Sequence, residues 1–292
     1  MKKILITGSS GFIGKNLVLF LKEKPDKYEI LCPGHKELDL LDGAAVKAYL
    51  EKEQFDIVIH SAVQGTLGLP PEYEQMVLRN NIRMFFHLEQ CRHLYGKMFY
   101  FGSGAEYGKT AYIPMMKEDY FGTVVPEDDY GLSKYLMARA VPEDGNIYDL
   151  RIFGVFGPYE YYNYRFISNV ICKALAGKEI IVHQNVRFDY LYIDDLCRIT
   201  EWFLDHEPVY RHYNVCRGQT EEIVRIAEFV LKETGSFSNF AVEKEGMGRE
   251  YSGDNSRLLA EMGGFSFSPI EHSVRKLIRF YQETGFTLAG DY

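Results

Sequence analysis

A tyrosine and a lysine stand four residues apart, at Tyr130 and Lys134, in a stretch with a helical pattern. That spacing places both side chains on one face of a helix. Because a nearby ammonium favours the phenolate, we expect Lys134 to lower the pKa of Tyr130 from its usual value of about 10. Tyr130 could then exchange a proton with a sugar hydroxyl or carbonyl near neutral pH. An ordinary exposed helix face is the alternative.

Ser103 follows a predicted strand, in the segment Phe101 to Gly108. Its hydroxyl could hydrogen-bond the same substrate oxygen as Tyr130. A serine that only shapes the turn at a strand end is the alternative.

A glycine turn joins the first predicted strand to the first predicted helix. Gly8 allows a tight turn, Gly11 lets the backbone approach a pyrophosphate, and Gly14 lets helix and sheet pack closely. Free amides and the positive dipole end at the start of the helix would face the phosphates. The turn therefore predicts a dinucleotide site, with a purely structural turn as the alternative. Its candidate cofactor-binding residues are Gly8, Gly11, Phe12, Ile13 and Gly14.

The residues after the second predicted strand bear on the choice of cofactor. An acidic residue at that strand's end would bind the ribose 2′-hydroxyl of NAD. The segment Cys32 to Lys36 has none, and His35 and Lys36 could meet a 2′-phosphate instead. The sequence therefore favours NADP over NAD, although Lys36 could equally be a solvated surface lysine.

Strands alternate with helices along the first half of the chain, which predicts an α/β fold with a doubly wound parallel sheet. The expected strands are 3–7, 28–32, 56–60, 97–101 and 147–153. The expected helices are 12–24, 44–53, 71–95, 129–140, 166–176, 221–233 and 270–283. We predict a cofactor-binding domain at 1–153, to which the chain returns around 187–204. Residues 154–292 would form mainly a smaller substrate-binding region.

Composition excludes several classes of protein. The chain has 292 residues, with 33 Lys and Arg against 41 Asp and Glu, so a nucleic-acid binder is not expected. No apolar run is long enough to span a membrane. Five scattered cysteines favour a reducing, cytoplasmic location, and the eight histidines lack the spacing of a metal site.

Together these motifs resemble the extended short-chain dehydrogenases/reductases, a family of nucleotide-sugar epimerases, dehydratases and 4-keto reductases. Within it, the GDP-fucose synthase and 4-keto-sugar reductase branch, which uses NADPH, is the most similar. Besides the glycine turn, the matching features are Asp39-Leu40, Ile59 to Ala62, Asn81, Ser103, Tyr130 with Lys134, Arg151 to Pro158, and Tyr192 to Leu196.

The resemblance implies a Rossmann fold and assigns roles to these positions. Ser103, Tyr130 and Lys134 would be catalytic. Tyr130 and Lys134 would also contact the cofactor, with Lys134 at the nicotinamide ribose. Asp39 and Leu40 would lie against the adenine. Further cofactor contacts would come from Ser61 and Ala62.

Departures from the family pattern restrict the activity. Dehydratases carry Asp-Glu after the catalytic Ser or Thr, where this chain has Gly104 and Ala105, so dehydration is disfavoured. Ala105 also replaces the cysteine that the GDP-fucose synthase branch uses for carbon epimerisation. The usual diphosphate-binding arginine is shifted to Arg187, which would face the wrong side of a strand unless a bulge corrects it. Arg249 is a second candidate, since a guanidinium matches phosphate oxygens.

Three functions remain open. The first is an NADP-dependent reductase of a nucleotide-linked 4-keto-deoxysugar, with Tyr130 as the acid. The second is a nucleotide-sugar 4-epimerase with bound NAD, and the third is a non-catalytic NADP-binding sensor. The helical stretches 71–95 and 129–140 match the pair that forms a dimer interface in the family, so a homodimer is expected, although the same apolar residues could face the sheet.

Overall fold

The computed structural model describes residues 1–65 and 73–288. Within these segments the strands are β1 (Lys2–Thr7), β2 (Tyr28–Leu31), β3 (Phe55–His60), β4 (Tyr95–Ser103), β5 (Ile147–Ile152), β6 (Gly154–Phe156), β7 (Ile180–Asn185), β8 (Arg187–Tyr192), β9 (His212–Val215), β10 (Thr220–Glu222) and β11 (Phe240–Met247). The helices are α1 (Phe12–Lys22), α2 (Gly43–Glu53), α3 (Glu74–Gln90), α4 (Asp129–Arg139), α5 (Phe166–Leu175), α6 (Ile193–Asp205), α7 (Ile223–Thr234), α8 (Ser256–Met262) and α9 (Ile270–Thr284).

Six strands form one sheet in the order β2-β1-β3-β4-β5-β9, and every neighbouring pair is parallel. The chain winds outward from β1, first to β2 and then through β3, β4 and β5 towards β9. The predicted α/β class with a doubly wound parallel sheet is confirmed. Ligands of such sheets bind beyond the carboxyl ends of the strands, where the winding reverses. Here that point lies between β1 and β3.

Both faces of this sheet are buried, as parallel sheets require. Ile6 of β1 packs in one core with Leu17 of α1 and with residues of α6. Leu5 points to the opposite face, where it packs with Val46 of α2 and Phe85 of α3. Because successive side chains of β1 point to opposite faces, helices pack on both sides of the sheet. The site lies at the strand ends between these two layers.

The second half of the chain contributes to both regions. It forms a three-stranded sheet, β10-β8-β6, and a parallel pair, β11-β7. It also completes the large sheet, because β9 pairs with β5 and α6 joins the core beneath α1. The predicted return to the cofactor-binding domain spans 187–204. Residues 187–192 instead form β8 of the three-stranded sheet, and α6 and β9 return the chain to the large sheet. The division at residue 154 remains a prediction.

Two predicted helices include residues that the structure places in strands. The pattern at 71–95 covers α3, which ends at Gln90, and the first residue of β4; residues 71–72 lie outside the described segments. The segment 221–233 begins as a strand because residues 220–222 pair with β8, and α7 begins at Ile223. No helix in the described segments is long and apolar enough to cross a membrane.

Candidate active site

The glycine turn after β1 lies against the loop after β3. Gly8 has a φ of +69°, and a Cβ on it would lie 2.6 Å from the Ala62 backbone. A Cβ on Gly14 would lie 2.2 Å from the Gly8 carbonyl oxygen. Both positions therefore require glycine, one because of its conformation and the other because of the close helix approach.

The start of α1 offers an anion site. Its N-cap is Gly11, and no side chain of the described residues caps it, so amides of the first turn, including Phe12 and Ile13, have no side-chain acceptor. These amides and the helix dipole suit a phosphate group. Together with the close turn at Gly8, they fit the pyrophosphate of a dinucleotide.

The loop after β3 is fastened to the same turn. The Ser61 hydroxyl donates to the Thr7 carbonyl oxygen at 2.7 Å, and the Ala62 amide donates to Thr7 Oγ1 at 3.3 Å. Asn81 of α3 accepts from the Gln64 amide at 2.7 Å and so braces the loop from the helix side. Ser61 and Ala62 thus lie beside Gly8, as a role in cofactor binding requires.

The loop after β2 leaves His35 and Lys36 exposed to solvent. Glu37, the first acidic residue after this strand, turns back, and its Oε2 accepts the Gly34 amide at 2.8 Å. The Asp39 carboxylate accepts the Leu41 amide at 2.9 Å and lies 3.8 Å from His35 Nε2. The basic pair is therefore available to a phosphate, while Glu37 is held in its own turn.

Ser103, Tyr130 and Lys134 come together at the carboxyl end of β4. Ser103 is the last residue of β4, and α4 carries the other two. The Ser103 side chain lies close enough to Tyr130 for hydrogen bonding to favour the phenolate. Lys134 Nζ lies 5.9 Å from the centre of the Tyr130 ring and donates to the Phe101 carbonyl oxygen at 2.7 Å. The structure thus assembles the trio that the spacing predicts.

The electrostatics of the trio differ from the prediction. Burial raises the pKa of Tyr130 above its usual value, and the opposing effects of the Ser103 hydrogen bond and the Arg165 charge are smaller. Burial also lowers the pKa of Lys134 from 10.5 to about 8. The prediction that Lys134 lowers the pKa of Tyr130 is therefore wrong for this structure, since the cost of burying a phenolate dominates.

Two site residues were not found by sequence reasoning. Arg165, the exposed N-cap of α5, is close enough for its charge to favour the Tyr130 phenolate. The Tyr251 hydroxyl lies 2.3 Å from the position that a Cβ on Gly104 would take, and its ring packs on Phe153 at 5.0 Å. Both residues lie outside the sequence motifs. In the sequence, only Gly104 indicated that another side chain occupies the space beside Ser103.

The two predicted substrate arginines are placed differently. Arg187 forms an ion pair with Glu222 at 3.0 Å, and β8 pairs with β10 in regular register, without the bulge that would turn Arg187 round. The neighbouring Phe188 faces the Tyr251 ring instead, at 4.8 Å. The structure therefore does not bring Arg187 to the trio. Arg249, the second candidate, precedes Tyr251 by two residues.

Arg249 is already engaged by the loop that follows Ser103. Its Nη1 donates to the carbonyl oxygens of Lys109 and Thr110, while the side chain remains exposed. Its role towards a diphosphate remains a prediction, as does that of Arg187.

A family model confirms what these motifs indicate. The model of the NAD dependent epimerase/dehydratase family matches residues 4–216. The chain belongs to this family. The predicted family, the Rossmann-type fold and the class of NAD(P)-dependent enzyme are thereby confirmed.

Individual relatives of this epimerase/dehydratase-family chain have more than one activity. It is 26% identical to GDP-L-colitose synthase of Yersinia pseudotuberculosis, over 96% of this chain and 97% of that protein. It is 27% identical to ADP-L-glycero-D-manno-heptose-6-epimerase of Alkalilimnicola ehrlichii, over 94% and 96%. The fold matches the solved structure of a GDP-mannoheptose C4 reductase from Campylobacter jejuni with NADP bound, with a TM-score of 0.83, 19% identity, and coverage of 96% of this chain and 98% of that one.

Proposed function

We propose that the protein is an NADP-dependent reductase of a nucleotide-linked 4-keto-deoxysugar. The observation that carries this proposal is the Tyr130 side chain beside Ser103, with no acid-base side chain at positions 104 and 105. Tyr130 holds its proton because burial raises its pKa. Gly104 and Ala105 have no group that could take a proton from a sugar carbon.

Each residue of the trio then has a distinct task. The Ser103 hydroxyl orients the carbonyl oxygen of the substrate. Tyr130 donates its proton to that oxygen as negative charge develops there. Lys134, held in place by the Phe101 carbonyl, brings a positive charge close to the developing alkoxide. A dinucleotide whose pyrophosphate is held at the glycine turn would supply a hydride from its nicotinamide to the ketone carbon.

The preference for NADP rests on the loop after β2. His35 and Lys36 are exposed and could pair with a 2′-phosphate. Glu37, the first acidic residue after β2, accepts the Gly34 amide, while the Asp39 carboxylate accepts the Leu41 amide and lies 3.8 Å from His35 Nε2. An NAD-binding protein would need an acid free to meet the ribose 2′-hydroxyl.

The alternative is a 4-epimerase with bound NAD. The similarity to a heptose epimerase supports retaining this alternative function. An epimerase first oxidises its substrate, so its tyrosine must begin as a phenolate base. The raised pKa of Tyr130 opposes that role and suits the reductive direction. A non-catalytic sensor would have no need to hold Ser103, Tyr130 and Lys134 together. A cytoplasmic location remains a prediction.

The test is consumption of NADPH with a panel of 4-keto-6-deoxy sugar nucleotides that differ in base. Oxidation of NADPH by at least one of them, with NADH used less well, would support the proposal. Interconversion of a plain nucleotide hexose with its C4 epimer, without net NADPH consumption, would replace the proposal by the epimerase. Tight NADP binding with neither reaction would favour the sensor.

A further inference from the structure

A buried group of charged side chains lies directly behind Ser103. Arg151, whose side chain is 1% exposed, donates from Nε to Glu106 Oε2 at 3.0 Å and to Asp149 Oδ2 at 2.9 Å. Both carboxyl groups are fully buried. Burying such groups costs free energy even when they are paired, so their retention calls for a reason other than stability.

Glu106 connects this group to the catalytic serine. Its Oε1 accepts the Ser103 amide at 2.9 Å, and the Ser103 hydroxyl oxygen accepts the Ala105 amide at 3.1 Å. The two bonds form a capping box at the start of the short 3-10 turn Gly104–Tyr107. They hold both the backbone and the side chain of Ser103. The hydroxyl oxygen uses one lone pair to accept the Ala105 amide. Its hydrogen therefore remains available for donation to Tyr130 or to a substrate oxygen.

The end of β4 is shaped to admit these carboxyl groups. A Cβ on Gly102 would lie 2.1 Å from Asp149 Oδ1 and 2.4 Å from Glu106 Oε1. Any side chain at position 102 would displace the two oxygens, and Glu106 would then lose its contact with Ser103. Gly102 is thus needed for Glu106 to reach the serine.

We propose that Glu106 is a positioning residue for the reaction and acts through Ser103. Arg151 holds its carboxyl group in place, and that group holds the serine so that the hydroxyl points at the substrate oxygen. This inference rests on the proposed function, which assigns Ser103 to that oxygen. Glu106 itself lies behind the serine and has no contact with the substrate.

The test is a double-mutant cycle between Glu106→Asp and Ser103→Ala. Aspartate keeps a carboxyl group for Arg151 but is one methylene too short to reach the Ser103 amide. A positioning role predicts that Glu106→Asp lowers kcat about tenfold, since small displacements of an orienting group are costly, with the KM for NADPH nearly unchanged. In the Ser103→Ala background the same change should cost almost nothing. An equal loss in both backgrounds, or no loss in either, would overturn the proposal.

Glu118→Asp is the matched control. Glu118 is another buried carboxylate near Arg151, but it accepts the Asn214 amide at 2.9 Å rather than the Ser103 amide. Glu118→Asp should change kcat by no more than about twofold, and its effect on kcat should add to that of Ser103→Ala. If Glu106→Asp does not fold, Glu106→Gln serves in the same cycle, because one amide group cannot accept from both Ser103 and Arg151.

A second readout does not depend on turnover. Hydrogen exchange at the Ser103 amide should be faster in Glu106→Asp than in the unmutated protein, and Glu118→Asp should leave it unchanged. An exchange rate at Ser103 that does not respond to Glu106→Asp would overturn the proposal. If the unmutated protein reduces no sugar of the panel, the proposed function fails, and amide exchange alone still decides whether Glu106 holds the serine.

Discussion

The hydroxyl of Tyr130 is the group on which the proposed reaction depends, and its surroundings keep it protonated. Burial penalises the phenolate more than the Ser103 hydrogen bond and the Arg165 charge favour it. Burial lowers the pKa of Lys134, because it favours the neutral amine. The two pKa values therefore lie apart, and Lys134 loses its proton at a lower pH than Tyr130 does.

Removal of the Tyr130 hydroxyl should abolish most of the activity. Tyr130→Phe keeps the ring, so the fold and the affinity for NADPH should survive. General acid catalysis is worth about 10²–10⁴-fold, and we expect kcat on a reducible 4-keto sugar nucleotide to fall by that order. Ser103→Ala should cost less, because it orients rather than donates. A Tyr130→Phe protein with the unmutated rate would disprove the mechanism.

The pH dependence of kcat/KM should follow the protonation of Lys134. Its pKa is lowered to about 8, so the ammonium is present below that pH and is lost as the pH rises through it. We therefore expect kcat/KM to decline above pH of about 8. The pKa of Tyr130 is raised, so the tyrosine should lose its proton only at higher pH. Lys134→Arg, which stays charged, should lack this alkaline limb whatever its absolute rate, and an unmutated profile without the limb would contradict the assignment.

At the scale of elements, the ends of β1, β2 and β3 divide the cofactor site between them. The turn after β1 approaches the loop after β3 so closely that glycine is required at Gly8. The loop after β2 is the part with exposed basic side chains. We therefore expect changes in this loop to alter the choice of cofactor without disturbing the predicted pyrophosphate site.

Lys36→Ala should weaken NADPH binding and leave NADH binding nearly unchanged, because only NADPH carries the 2′-phosphate. The matched control is Lys52→Ala at the end of α2, where the lysine side chain is 78% exposed and pairs with Glu53. Dissociation constants from fluorescence titration would measure both. Equal binding of the two cofactors by the unmutated protein would contradict the assignment of His35 and Lys36.

At the scale of the whole molecule, α3 and α4 pack side by side and present one outer surface. Some apolar residues of these two helices are in the core, since Phe85 and Met137 are buried against the sheet. Others remain outside: Met76 is 42% exposed and Leu136 is 39% exposed. A dimer through this surface is still expected, with these residues at its centre.

Leu136→Glu should convert the dimer to a monomer, because the charge would be buried in the interface. Light scattering at micromolar concentration measures the mass of each form. Val209→Glu is the control, since Val209 is 73% exposed and lies outside these helices. An unmutated protein that is already a monomer would reject the dimer.

The sequence alone was sufficient for the parallel α/β fold, the glycine turn and the trio of Ser103, Tyr130 and Lys134. These depend on local patterns: glycines where a strand meets a helix, alternating elements, and a four-residue spacing on one helix. The loop after β2 could also be found in this way, because its residues follow a strand directly.

Only the tertiary structure decided the direction of the Tyr130 pKa shift, which depends on how many neighbours exclude water from the phenol. It also placed Tyr251 over Gly104, turned Arg187 towards Glu222, and paired Glu106 with Arg151. The contact between Tyr251 and Gly104 joins segments far apart in the chain, and the direction of Arg187 follows from the pairing of β8 with β10. Burial and approach between distant segments are properties of the packed chain, and no local spacing encodes them.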